Sequence, residues 1–108
     1  MEPTRIEILE QTLESTPNNT FARYALALEL ARAGRSEHAW QQFEHLLEHH
    51  PDYAATYLQA GMYLAKQGRG DEARVVFSKG IEVNRKQGNL HAQSDVSILT
   101  SSTSAYSP

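Results

Sequence analysis

The sequence predicts an all-α fold, a stack of antiparallel helix hairpins with about six helices. Two observations predict it. First, a framework recurs at a fixed step: Gly34 and Gly68, Ala39 and Ala73, Phe43 and Phe77, and Leu47 and Ile81 are each 34 residues apart (68 − 34, 73 − 39, 77 − 43, 81 − 47). Leu9, Leu13 and Pro17 fall on Phe43, Leu47 and Pro51 by the same step. Second, apolar residues between the Pro and Gly punctuation recur at helical spacing. A period in this range marks a repeat array, in which each hairpin cannot bury its apolar faces alone and covers them with its neighbours. That makes the chain a binding or assembly module.

The elements follow in order. Residues 3–15 read as a first helix, with Pro3 in its first turn and Ile6, Leu9 and Leu13 on one stripe. Pro17, Asn18 and Asn19 break the chain and offer N-cap oxygens. Residues 20–33 are apolar nearly all round, as in a helix covered on two sides. Gly34 suits a left-handed C-cap. Ser36 is the expected cap of a third helix, 37–49, whose stripe is Ala39, Trp40, Phe43, Leu46 and Leu47. Pro51 stops it, and Asp52 is expected to cap a fourth helix, 53–67. Gly68 and Gly70 flank a turn, Asp71 is the expected cap, and a fifth helix spans 72–83 with Ala73, Val76, Phe77, Gly80 and Ile81 inward. Residues 89–99, with Leu90, Val96, Ile98 and Leu99, make a weaker amphipathic helix. The last nine residues, 100–108, are low-complexity and expected to be disordered.

The side chains fit the period. Ala39 and Ala73 are small where the two helices of a hairpin should approach. Ala27 and Gly61 are the matching small residues on the first helix of each hairpin. Phe43 and Phe77 are large, as expected of residues that reach the next hairpin. Pro17 and Pro51 reset the chain direction between hairpins.

These residues resemble the tetratricopeptide repeat family, whose 34-residue pattern is aromatic-x₂-Leu-Gly-x₂-Tyr, then Ala-x₃-Phe, then Pro. One copy reads Arg23-x₂-Leu26-Ala27-x₂-Leu30, then Ala39-x₃-Phe43, closing with Pro51. The other reads Tyr57-x₂-Ala60-Gly61-x₂-Leu64, then Ala73-x₃-Phe77, with Arg85 in place of the proline. Arg23 departs from the aromatic position. The resemblance divides one domain over 1–99 into a half repeat (3–17), two repeats (18–51 and 52–85) and a C-terminal capping helix (88–99). It implies a right-handed superhelical stack. It also implies that the first helices of successive repeats line a concave face that binds a peptide or partner protein. On this chain the lining side chains are expected to be Phe21, Tyr24, Leu28 and Arg32, then Leu58, Gln59, Met62 and Lys66, with Gln93 and Val96 from the last helix. Phe, Tyr and Met are types enriched at interfaces. The alternative is a structural or self-assembling unit, a homodimer, whose concave face is filled by its own C-terminal helix or a second copy. The family's carboxylate clamp of Lys, Arg and Asn is absent: Tyr24, Leu28, Ala55 and Gln59 stand where it is expected.

Composition narrows the classes. Hydrophobic residues make up 40% and charged residues 21%, with a net charge of −3, so a nucleic-acid partner is not expected. There is no cysteine, which removes disulfides, thiolate catalysis and cysteine-ligated metals. Its absence, with no secretory pattern in M-E-P-T-R-I-E, fits a cytoplasmic protein. No apolar run spans a membrane. His45 and His49, at i and i+4, could chelate zinc or nickel. Together with His38, however, they form a stripe expected to face solvent, and Leu46 follows His45, so the H-E-x-x-H pattern fails. Gly68-Arg69-Gly70 joins helices and follows no strand, so it is not a phosphate loop. No enzyme activity and no cofactor are expected.

Overall fold

A computed structural model describes residues 2–88. They form five α-helices: α1 (Arg5–Ser15), α2 (Thr20–Arg32), α3 (Ser36–His49), α4 (Ala55–Lys66) and α5 (Gly70–Lys86). No strand occurs among the described residues. The helix expected at 88–99, with Gln93 and Val96, and the disorder expected at 100–108 lie outside them. The chain divides into two compact units, Met1–His50 with α1 to α3 and Pro51–Pro108 with α4 and α5.

In the first unit, α2 packs on both α1 and α3. Leu26, Leu30 and Ala39 form a buried cluster, and Ile6, Leu9 and Leu13 of α1 close over it. Helix α1 itself buries no residue fully, so it is a cover on the hairpin. Phe43 and Leu46 of α3 are also fully buried. Each such side chain contributes about 1.5–3 kcal/mol of burial.

In the second unit, glycines let α4 and α5 approach closely. A Cβ on Gly61 of α4 would stand 2.4 Å from Phe77 Cε1, and one on Gly80 of α5 would stand 2.6 Å from Tyr57 Cβ. Each helix therefore lays a ring over the other's glycine. Phe77, expected to reach the next hairpin, is seated on Gly61 of its own.

The hairpin turns repeat as the spacing predicts. Gly34 and Gly68 take φ +76° and +79°, where any other residue would be strained. At the first turn, Gly34 N donates to Ala31 O and Arg35 N to Leu30 O. At the second, Gly68 N donates to Ala65 O and Arg69 N to Leu64 O. These paired bonds satisfy the carbonyls left open at each helix end.

Several helix starts differ from expectation. Pro3 precedes α1 rather than opening it. Thr4 is the cap, its hydroxyl accepting from Glu7 N and donating to the Glu7 carboxylate. T-x-x-E is the sequence pattern of a capping box, but here the Glu7 carboxylate accepts from the Thr4 hydroxyl. Asn19 caps α2 as expected, accepting from Ala22 N at 3.0 Å. Ser36 and Asp71 lie inside α3 and α5, behind Arg35 and Arg69 at the cap positions, and Asp52 lies before Ala54, the residue that caps α4. At α5 the Arg69 guanidinium grips Glu72 at 3.1 and 2.6 Å, and Asp71 pairs with Arg74. The acids thus sit in the first turn, where the helix dipole favours them. Helix α5 also outruns its expected end: with Arg85 where a proline would stop it, it continues to Lys86, and Arg85 pairs with Glu82 at 2.5 Å.

Candidate functional site

Helix α2 turns Ala22, Ala25, Leu26, Ala27 and Leu30 inward. The other side carries Phe21, Tyr24, Leu28 and Arg32, at steps of three and four that keep them on one face. Phe21 is 68% exposed, Tyr24 and Leu28 are partly buried, and Arg32 is exposed. Helix α4 repeats the arrangement. Thr56, Tyr57, Ala60, Gly61 and Leu64 are buried, whereas Leu58 and Gln59 are partly buried and Met62 (44%) and Lys66 are exposed. All eight side chains expected to line the binding face therefore lie outside the fully buried core of their own unit.

Each face runs from apolar residues to a cation at the helix C-terminus, where positive charge is favoured. In the first unit that cation is partly neutralised. Glu29 Oε1 accepts from Arg32 Nη1 at 3.2 Å and from Arg5 Nε at 3.1 Å, one carboxylate between two guanidiniums. Chemically, each face offers aromatic or thioether contact area and a cation. Neither holds a nucleophile paired with a base.

Arg23, which breaks the aromatic pattern, has a structural role that residue type alone concealed. Its Nη2 donates to Pro17 O at 3.0 Å and its Nη1 to Gln42 Oε1 at 2.8 Å. The Tyr57 hydroxyl donates to Pro51 O at 2.5 Å. Donors and acceptors are both 34 apart (57 − 23, 51 − 17). A guanidinium in one unit and a phenol in the other therefore bind the same inter-helix proline carbonyl. Burial, and then the charge of Asp52, push the Tyr57 phenol above its ordinary pKa, so it stays a donor at neutral pH.

Beside Tyr57 an open groove of about 480 Å³ runs between the start of the second unit and the C-terminal half of α5. Tyr57, Pro51 and Val83 form its apolar wall, and Lys79, Lys86 and Gln87 its rim. Gln87 Nε2 donates to Asp52 O at 2.6 Å, tying the end of α5 to the loop before α4.

The corresponding positions in the first unit hold histidines: 79 − 34 is His45 and 83 − 34 is His49. Their ring centroids are 4.4 Å apart, and His50 lies 6.3 Å from His45. His38 and His49 face solvent, while His45 is partly buried. Burial first, then the charges of Arg23, His49 and His50, hold His45 below the ordinary histidine pKa, with Glu48 opposing. His50 Nδ1 is 3.4 Å from Thr20 Oγ1. Among the described residues no three His, Cys, Asp or Glu side chains converge as a metal ion requires. A cation at His45 and His49 would also meet the repulsion of Arg23.

Comparison with known proteins agrees with this architecture. The tetratricopeptide repeat family model matches residues 2–83. The chain is similar to the solution structure of a tetratricopeptide repeat domain protein from Salinibacter ruber. The two share 32% identity over 84% of this chain and 92% of that one, with a TM-score of 0.81. The crystal structure of a tetratricopeptide repeat domain protein from the same organism shares 31% identity over 82% of this chain and 100% of that one, with a TM-score of 0.78. A protein from Bordetella parapertussis shares the fold, with a TM-score of 0.80 over 97% of this chain and 90% of that one, at 20% identity. No curated protein matches the chain.

Proposed function

Because the chain belongs to the tetratricopeptide repeat family, whose domains generally mediate protein interactions, we propose that it is a non-catalytic module that binds a peptide or partner protein. The outward faces of α2 and α4 carry the binding. Phe21, Tyr24, Leu28 and Arg32 are the contacts on the first, and Leu58, Gln59, Met62 and Lys66 those on the second. One observation carries the reading. Phe21 is 68% exposed and Met62 44% exposed, each on a helix whose opposite side is already packed. Leaving an aromatic ring and a thioether in water gains nothing for folding, whereas such side chains supply contact area to a partner.

No described helix is long and apolar enough to cross a membrane. The proposed setting is cytoplasmic, with neither nucleic acid nor a cofactor taking part. Substituting both Phe21→Ser and Met62→Ser tests the reading, since neither residue belongs to the packed core. The double variant is expected to keep its helical circular dichroism and melting profile and to lose the partner that the parent chain retains from a lysate of the source cell. Undiminished capture by the variant refutes it. Light scattering over a range of concentrations separates the alternative: a concentration-dependent dimer abolished by the same substitutions would assign these faces to a second copy of the chain.

A further inference from the structure

We propose that Met62 is an oxidation site, and that a peroxide switches off the outward face of α4 by converting this thioether to its sulfoxide. The switch rests on the partner-binding reading; the oxidation site does not. The first argument is the distribution of sulfur. The chain has no cysteine and two methionines, Met1 and Met62. Thiolates, the groups that intercept an oxidant first, are therefore absent. Met62 holds the one sulfur atom among the described residues, and it is 44% exposed. No buried core side chain among those residues contains sulfur, so an oxidant finds its target on the surface and not in the core.

The second argument is the place. Gly61, next in the chain, is packed under the Phe77 ring, and Met62 lies outside that contact. An oxygen added to Met62 therefore leaves the buried set of α4 untouched: Thr56, Tyr57, Ala60, Gly61 and Leu64. What changes is the face. One turn from Leu58, a flexible apolar thioether becomes a polar group that accepts hydrogen bonds. The step balances with hydrogen peroxide as the oxidant. The Met62 Sδ lone pair attacks one peroxide oxygen, an S–O bond forms and the O–O bond breaks. The departing hydroxide takes the remaining proton and leaves as water. Sulfur loses two electrons and peroxide gains them. Methionine sulfoxide reductase reverses the change.

The test treats the purified full chain with hydrogen peroxide and then removes the peroxide. Cleavage after Arg and Lys puts Met1 and Met62 in separate fragments. One added oxygen is expected on the Met62 fragment, with the helical circular dichroism and urea midpoint of the untreated chain. No oxygen at Met62, or a collapsed urea midpoint, overturns the site. The switch is read by exposing treated and untreated chain to a lysate of the source cell. Retention of the partner is expected to fall about tenfold on oxidation, as for the loss of one anchoring contact. It is expected to return when the oxidised chain is first incubated with methionine sulfoxide reductase. Met62→Leu, whatever its own retention, is expected to give the same value before and after peroxide. Undiminished retention by the sulfoxide overturns the switch. So does an equal loss in peroxide-treated Met62→Leu, which would place the sensitive group elsewhere. An untreated chain that retains nothing refutes the partner-binding reading and the switch with it, while the mass and urea measurements still decide the site.

Discussion

The two units build the same hairpin from different side chains. In the first, Arg23 holds the proline carbonyl, Ala27 is the small residue of the first helix, and His45, His49 and His50 close the end of α3. In the second, Tyr57, Gly61, Lys79, Val83 and Asn84 take those places. The retained features are a left-handed glycine after the first helix, the paired bonds that end it, the buried Ala39/Ala73 and Phe43/Phe77 pairs, and a side-chain donor for the proline carbonyl. Other residues that supply volume and charge change between the units. Tyr57 lies over Gly80, whereas the same two positions of the first unit hold Arg23 and Leu46, which is fully buried.

The comparison breaks most sharply at the small residue of the first helix. Gly61→Ala drives a methyl into the Phe77 ring, so the second unit should lose about 1–3 kcal/mol, the usual cost of overpacking. Ala27→Gly in the first unit removes a fully buried methyl as well as helix propensity, so it should cost about 1–2 kcal/mol by emptying space rather than overfilling it. Urea titration of each variant checks both losses; an unchanged midpoint for Gly61→Ala would mean that the Phe77 ring gives way to the methyl.

Thr56 is the next test. It is fully buried at the place of Ala22, and its hydroxyl has no hydrogen-bond partner among the described residues. A buried hydroxyl without a partner costs about 1–3 kcal/mol. Thr56→Val keeps the shape and removes that cost, so the urea midpoint should rise; a fall would show that the hydroxyl is satisfied in solution. A smaller effect is expected at the proline carbonyl. Tyr57→Phe removes one hydrogen bond and should cost about 1 kcal/mol. Arg23→Tyr, by contrast, supplies the donor that the second unit uses. It should melt closer to the parent than Arg23→Met does, and the reverse order would contradict the shared role.

The smallest predicted effect is the acid response of the first unit. His45 binds its proton less readily when folded, so the unfolded chain takes up protons first as pH falls. Stability is then full above the ordinary histidine value of about 6.5, declines below it, and levels off once the folded imidazole is also charged. Arg23, His49 and His50 oppose that charge and Glu48 favours it. His45→Gln should reduce the loss in urea midpoint between about pH 7.5 and pH 5. An unchanged difference would assign the acid response elsewhere.

Much of this was legible in the sequence, for a physical reason. Stacking fixes where glycine, small residues and prolines must fall, so the period located the turns and the core, whereas the eight expected face residues rest on the family resemblance. Helix caps were less legible. Ser36, Asp52 and Asp71 have the right chemistry for a cap, but so does any serine or aspartate near a helix start. The backbone decides between them, and at α1 the cap is the Thr4 hydroxyl, which accepts from Glu7 N. Arg23 read as a defect because its equivalence to Tyr57 lies in a hydrogen bond, not in residue type. The partner is not legible at all, because no packing constraint acts on the surface that meets it.

That surface is where the central claim is best tested. Among the described residues, four large apolar side chains are exposed to comparable degrees: Phe21 and Met62 on the outward faces of α2 and α4, and Ile8 (49%) and Val75 (54%) on α1 and α5. A photo-crosslinking amino acid can be placed at each in turn, in the full chain, and irradiated in a lysate of the source cell. The account predicts that positions 21 and 62 attach covalently to the same partner protein, while positions 8 and 75 do not. Attachment of that partner at 8 and 75 but not at 21 and 62 would contradict it.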